Sequence, residues 1–195
     1  MIRKLLLTGA AAMMLVALSA VAYADPVTLV QGKSITFTYQ SSAFAGSNAT
    51  ATFTLNGNQL TITYKNTSTN GTFLNGIGFN TTPNLQVTNA NFAPGSNWVF
   101  DTNGGGLGGF ELRVAGNGNN GRLSGGQSGS VVLTLSSVPT SITFDLTAAH
   151  LTSLPNGQSE KPVGTVPEPT TMLLLGTGMA GFAAELRRRR KAKKD

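Results

Sequence analysis

The sequence contains no cysteine, one histidine and one tryptophan, and only 11% of its 195 residues are charged. Without cysteine there is no disulfide framework, no thiolate zinc site and no cysteine nucleophile. The single imidazole, His150, excludes histidine-rich metal sites, and any Ser-His-Asp triad would have to pass through it. Charge is balanced in the middle of the chain. Lys33, Lys65, Arg113, Arg122 and Lys161 face Asp25, Asp101, Glu111, Asp145 and Glu160 between residues 25 and 165. The formal net charge of +6 therefore belongs to the two ends, chiefly to the Arg/Lys run after Glu185. That placement is a poor footprint for a nucleic-acid-binding domain, and no nucleic-acid partner is expected.

What is present begins with residues 1–24, MIRKLLLTGAAAMMLVALSAVAYA. Arg3 and Lys4 form a basic start, an apolar run extends from Leu5 to about Val21, and Ala22-Tyr23-Ala24 offers a small-x-small cleavage site before Asp25. This is the tripartite form of a signal peptide, with Ala22, Ala24 and Asp25 flanking the bond for signal peptidase. The alternative is an uncleaved anchor, but Asp25-Pro26 breaks a helix at that point. The rest of the chain is then expected to work outside the cytoplasm.

From residue 25 to 165 the texture is Thr, Ser, Asn and Gly interleaved with apolar residues. Ser34–Tyr39, Thr52–Leu55 and Leu60–Tyr64 alternate with period two, and Asn56-Gly57-Asn58-Gln59 joins the last two as a hairpin turn. Phe53, Leu55, Leu60, Ile62 and Tyr64 would share the buried face, with the threonines facing water. Further strands are expected at Thr72–Phe79, Leu85–Thr88, Trp98–Phe100, Gly109–Val114, Ser130–Ser136, Ile142–Leu146 and His150–Leu154. No amphipathic helix interrupts them. The expected fold is all-β: an antiparallel β-sandwich or jelly-roll-like domain between an N-terminal signal helix and a C-terminal transmembrane helix. The core is expected around Phe37, Phe53, Ile62, Phe79, Trp98, Phe110, Val132, Leu133 and Phe144. The Gly-rich stretches Asn103–Gly109 and Gly116–Gly129 read as long mobile loops, with a short strand linking them at the sandwich edge.

The C-terminus, residues 166–195, has three ordered parts. Val166-Pro167-Glu168-Pro169 is a stretch that no helix can include. Thr170 to Leu186 follows, 17 residues rich in Leu, Gly and Ala. As a helix it would be roughly 25 Å long, the lower limit for crossing a bilayer core. Arg187, Arg188, Arg189, Arg190 and Lys191 then open a basic cluster reaching Lys194. Such a cluster stays on the cytoplasmic side of the inner membrane, which puts the β domain outside. An ordinary single-pass anchor is the plain alternative. The three parts together resemble the PEP-CTERM protein-sorting signal. That resemblance implies recognition by an exosortase, cleavage near Pro167-Glu168-Pro169, loss of the span, and release or transfer to the cell surface or matrix. Ala148–Lys161 is similar to a segment that ends the β-rich domain of some PEP-CTERM proteins.

Catalytic and cofactor motifs are scarce. Asp145 lies five residues before His150, so on a strand the two fall on opposite faces. Asp101-x-Asn103-x-Gly105 opens like a calcium loop but has Leu112 where the closing acid belongs. NGGGLGG precedes no helix and lacks the P-loop lysine. No catalytic, cofactor or metal residue is therefore assigned. The leading expectation is an exported, non-enzymatic surface or exopolysaccharide-matrix protein. The alternatives are a carbohydrate-active enzyme, which needs two acids facing one groove, and an ice-binding protein, which needs a flat, regular threonine face.

Overall fold

The computed structural model describes residues 26–102, 107 and 109–166. The expected signal segment with Ala22, Ala24 and Asp25 lies outside the described residues. So do most of NGGGLGG, Pro167-Glu168-Pro169, the expected span at about 170–186 and the cluster Arg187–Lys191. Among the described residues no helix is long and apolar enough to cross a membrane.

Ten strands form two antiparallel sheets. They are β1 (Val27–Val30), β2 (Ser34–Gln40), β3 (Asn48–Asn56), β4 (Gln59–Asn66) and β5 (Phe73–Thr82). The second half adds β6 (Val87–Phe92), β7 (Trp98–Asp101), β8 (Leu112–Gly116), β9 (Ser128–Leu135) and β10 (Ser141–Thr152). Sheet I has the order β1-β10-β5-β8-β7, and sheet II the order β2-β3-β4-β9-β6. The chain stays within one sheet along β2-β3-β4 and β7-β8 and changes sheet at the other connections.

Alternation decides which side of each strand is buried. Along β3, Ala49, Ala51, Phe53 and Leu55 are buried while the intervening threonines are half-exposed. β4 does the same with Leu60, Ile62 and Tyr64. The two inner faces meet through aromatic rings. Phe37 and Phe53 of sheet II contact Phe144 of sheet I at centroid distances of 5.4 and 4.6 Å, and Phe53 meets Phe79 at 5.3 Å. Each such pair adds about 0.5–1.5 kcal/mol beyond the apolar area it buries. At one end of the sandwich Gln31 ties three segments together. Its Nε2 donates to the carbonyls of Gly57 (2.8 Å) and Pro139 (2.6 Å), and its Oε1 accepts from the Gly57 amide at 2.9 Å.

The structure departs from the sequence expectations in six places. Val132 points outward and is only half-buried, because its neighbours Val131 and Leu133 take the inner face of β9. Phe110 is buried, but in a separate cluster with Leu107 and Ala148 rather than in the main core. It lies on Gly78, where an added Cβ would come within 2.7 Å of the Phe110 ring. The strand between the Gly-rich stretches, β8, is interior to sheet I rather than at its edge, because β7 closes that side. The Gly116–Gly129 stretch is structured: a 3-10 turn spans Gly118–Gly121, and Leu123 forms a bridge with Leu74. Ile142–Leu146 and His150 belong to one twelve-residue strand, β10, bent by register shifts at Phe144/Leu146 and His150/Leu151. β1 is a strand that the pattern did not announce.

Candidate functional site

The segment leading to Val166 is woven into the fold. After β10 the chain turns through Leu154–Gln158 and runs back beside the last part of β10, past the end of β1. Leu151 and Glu160 exchange two backbone hydrogen bonds of 2.9 Å, Ala149 N–H donates to Pro162 at 3.1 Å, and Gly164 N–H donates to Thr147 at 2.8 Å. The chain then crosses to sheet II, where Thr165 and Thr38 of β2 exchange bonds of 2.8 and 2.9 Å. One short segment thus joins the edges of both sheets. Only glycine fits at 164: a Cβ there would lie 2.2 Å from Thr147 Oγ1 and 2.6 Å from the Tyr39 ring. Val166, the first residue of the Val-Pro-Glu-Pro motif, packs against the core.

Glu160 fastens this segment to the β2–β3 loop. Its carboxylate accepts from the Ser41 hydroxyl, from Ser42 N–H at 3.0 Å and from the Ser42 hydroxyl at 2.8 Å. Desolvation raises the Glu160 pKa, but the hydrogen bonds from Ser41, Ser42 and Ala43 outweigh it, and the net shift is downward from 4.5. His150 lies near the end of β10, half-buried. Burial first, and then the charges of Lys161, Arg113 and Arg122, hold its pKa below 6.5. Both shifts have the same sign for stability. In each case the unfolded chain binds the proton more readily, so stability falls as pH drops below the unfolded pKa. Acid unfolding should therefore begin below about pH 6.5 through His150 and deepen below about pH 4.5 through Glu160. His150→Gln should flatten only the first limb of a melting-temperature profile against pH, and Glu160→Gln only the second.

A second feature covers the outer face of sheet II. The register aligns Ser34-Thr54-Thr61-Val132, Thr36-Thr52-Thr63-Ser130 and Thr38-Thr50-Lys65-Ser128 as three rows across β2, β3, β4 and β9. Only Val132 and Lys65 interrupt the hydroxyls. Ser34 bonds Thr54 at 2.7 Å and Thr36 bonds Thr52 at 2.8 Å. The sequence placed these threonines in water without showing that they form rows, because rows require the pairing of β4 with β9, far apart in the chain.

The third feature is a cleft of about 310 Å³ at one end of the sandwich, lined among others by Tyr64, Asn97, Trp98, Asn120, Arg122 and Gln127. Tyr64 and Trp98 stack at 4.1 Å with their planes 19° apart. Asn66 fixes the neighbouring backbone, its Nδ2 donating to the carbonyls of Thr72 and Leu123 at 2.7 Å each. Trp98 was expected as core, and it is 5% exposed. Arg122 lay hidden in a Gly-rich stretch whose periodicity says nothing about side-chain direction.

The acids are engaged in different places. Asp101 lies 3.6 Å from Arg113, Asp145 accepts from Thr82 Oγ1 at 2.7 Å, and Glu160 binds the β2–β3 loop. Among the described residues no three of His, Asp and Glu are grouped so as to hold a metal ion.

No curated protein and no solved structure matches the chain. Residues 165–191 match the PEP-CTERM protein-sorting motif. The match supports an exported protein with membrane-associated processing by an exosortase. It begins on Thr165, the residue that pairs with β2. The chain carries a PEP-CTERM protein-sorting motif, and that motif starts inside the folded sandwich.

Proposed function

We propose that the protein is a non-enzymatic component of the cell surface or extracellular matrix, and that the hydroxyl face of sheet II engages exopolysaccharide. The signal peptide exports the chain. The C-terminal span holds it transiently in the inner membrane until exosortase cuts near Pro167-Glu168-Pro169. The observation that carries the binding role is the set of three Ser/Thr rows. Neighbouring strands stand about 4.8 Å apart, and same-face residues recur about every 6.7 Å along each strand. Each hydroxyl offers one donor and two acceptor positions. Cross-strand pairs hold several of them in fixed rotamers, which lowers the ordering cost of binding. The face carries one charge, from Lys65, and suits an uncharged hydrated polymer. Sheet twist turns successive strands by roughly 20–25°. A flexible chain follows that twist, whereas the flat lattice of ice does not. The separate engagements of Asp101, Asp145 and Glu160 favour binding over glycoside hydrolysis, which needs two carboxylates across one groove.

The binding test is retention on native exopolysaccharide. The triple variant Thr36→Val, Thr52→Val, Thr63→Val keeps β-branched shape and removes one hydroxyl row. Its retention should fall about tenfold with melting unchanged, since each lost hydrogen bond is worth about 0.5–1.5 kcal/mol. Undiminished retention removes the face from the account, and failure of the wild type to bind removes the matrix role. Mass spectrometry of the surface form reads the processing step. An intact Arg187–Arg190 cluster there contradicts cleavage.

A further inference from the structure

We propose that the cleft between Trp98 and Arg122 binds a carboxylate-bearing sugar unit, the uronic-acid class of saccharide. The proposal rests on the matrix reading and adds a second, distinct site with its own ligand chemistry.

The walls of the cleft are rich in hydrogen-bond donors. Trp98 Nε1 and Arg122 Nε, on two side chains that line the cleft, are buried and have no hydrogen-bond partner among the described residues. Orphaned buried donors are rare, and each calls for an explanation. An indole N–H and a guanidinium can only donate. Gln127 Oε1 accepts from Ser124 N–H at 2.8 Å, which leaves its NH₂ group as a further donor. Asn97 and Asn120 are joined to each other by a bond from Asn97 Nδ2 to the Asn120 carbonyl at 3.3 Å. A ligand for this surface must be rich in acceptors.

Its charge follows from Arg122. Among the described residues Arg122 is the only charged group lining the cleft, and no carboxylate faces it there. The other cations whose charge reaches His150 are occupied: Arg113 lies 3.6 Å from Asp101, and Lys161 Nζ donates to the Leu107 carbonyl at 3.1 Å. Among the described residues Arg122 has no such partner. A guanidinium fork matches a carboxylate bidentately. The volume lies at the small end of ligand pockets, which fits one sugar ring better than an oligomer. Tyr64 and Trp98 turn their faces to one another, so recognition here proceeds through donors at the ring edge rather than by stacking a sugar on an open aromatic surface.

Trp98 is the only tryptophan in the chain, so its fluorescence reports directly on this cleft. The test is a fluorescence titration of the full-length protein in detergent with glucuronate, glucose and acetate. Glucuronate should saturate the signal. Glucose and acetate should each bind at least tenfold more weakly, and Arg122→Gln should weaken glucuronate at least tenfold while melting as the wild type does. Equal binding of glucose overturns the carboxylate assignment, and equal binding of acetate overturns the sugar. No response to glucuronate, or an undiminished response in Arg122→Gln, overturns the site. A melting temperature that falls in Arg122→Gln calls for Trp98→Phe, read by calorimetry. That variant keeps the stacking and removes the indole donor, and it must also weaken glucuronate at least tenfold for the proposal to stand. Failure of the wild type to be retained on native exopolysaccharide while it still binds glucuronate overturns the matrix reading alone and leaves this site in place.

Discussion

Removing Glu160 through Val166 is expected to cost the sandwich about 3 kcal/mol or more, whereas removing everything after Val166 should leave it intact. The segment supplies the second edge partner of β10 and the outer partner of β2. Its backbone at Gly164 lies directly on Tyr39 and Phe37. Exposing one such side chain loses about 1.5–3 kcal/mol of burial. Total stability is about 5–15 kcal/mol for an ordinary domain, so this is a large fraction. For a domain of this size the melting temperature should fall by roughly 10 °C. Two truncations, ending at Ser159 and at Val166 and followed by thermal melting, make the comparison. Equal melting temperatures would mean that the segment is merely laid against the sheets.

Phe53→Ala is expected to destabilise the domain by about 3–5 kcal/mol, the range for removing a buried Phe. Phe53 has no exposed surface and meets Phe37, Phe79 and Phe144 at 5.7, 5.3 and 4.6 Å. Those rings come from both sheets, so the truncation opens a cavity in the inter-sheet layer that no single strand can close by shifting. Urea unfolding with an unchanged slope and a lower midpoint is the expected record. Phe110→Ala, in the outer cluster, should cost distinctly less because its neighbours Leu107 and Ala148 form a much smaller layer.

The parts of the fold that were legible in the sequence are those with short-range causes. The β3–β4 hairpin follows from strict alternation on both sides of a Gly-Asn turn, and its expected buried face is observed, with Phe53 opposite Ile62 and Leu55 opposite Leu60. The sorting motif was legible because its three parts are consecutive in the chain. The apolar run Val131-Val132-Leu133 concealed its phase, since every residue in it could face a core. Phe110 looked like core because burial on the outer face of sheet I depends on Gly78, a residue from a different strand. The pairing of Thr165 with Thr38 spans 127 positions, and its segment contains Pro162 and Gly164, which interrupt any strand pattern. The cleft was invisible for the same reason: Tyr64, Trp98 and Arg122 come from three separate parts of the chain.

The lacing of Thr165 to β2 limits where the chain can be cut without cost to the fold. A cut that preserves stability must fall after Val166, and each residue beyond it adds at most about 3.6 Å of reach. With the proposed cut near Pro167-Glu168-Pro169, the new carboxyl end would follow Val166 by only a few residues. Whatever severs or attaches that end has to work with the whole domain pressed close beside it, so the contour of the domain around β2 and β10 becomes part of what the processing machinery encounters.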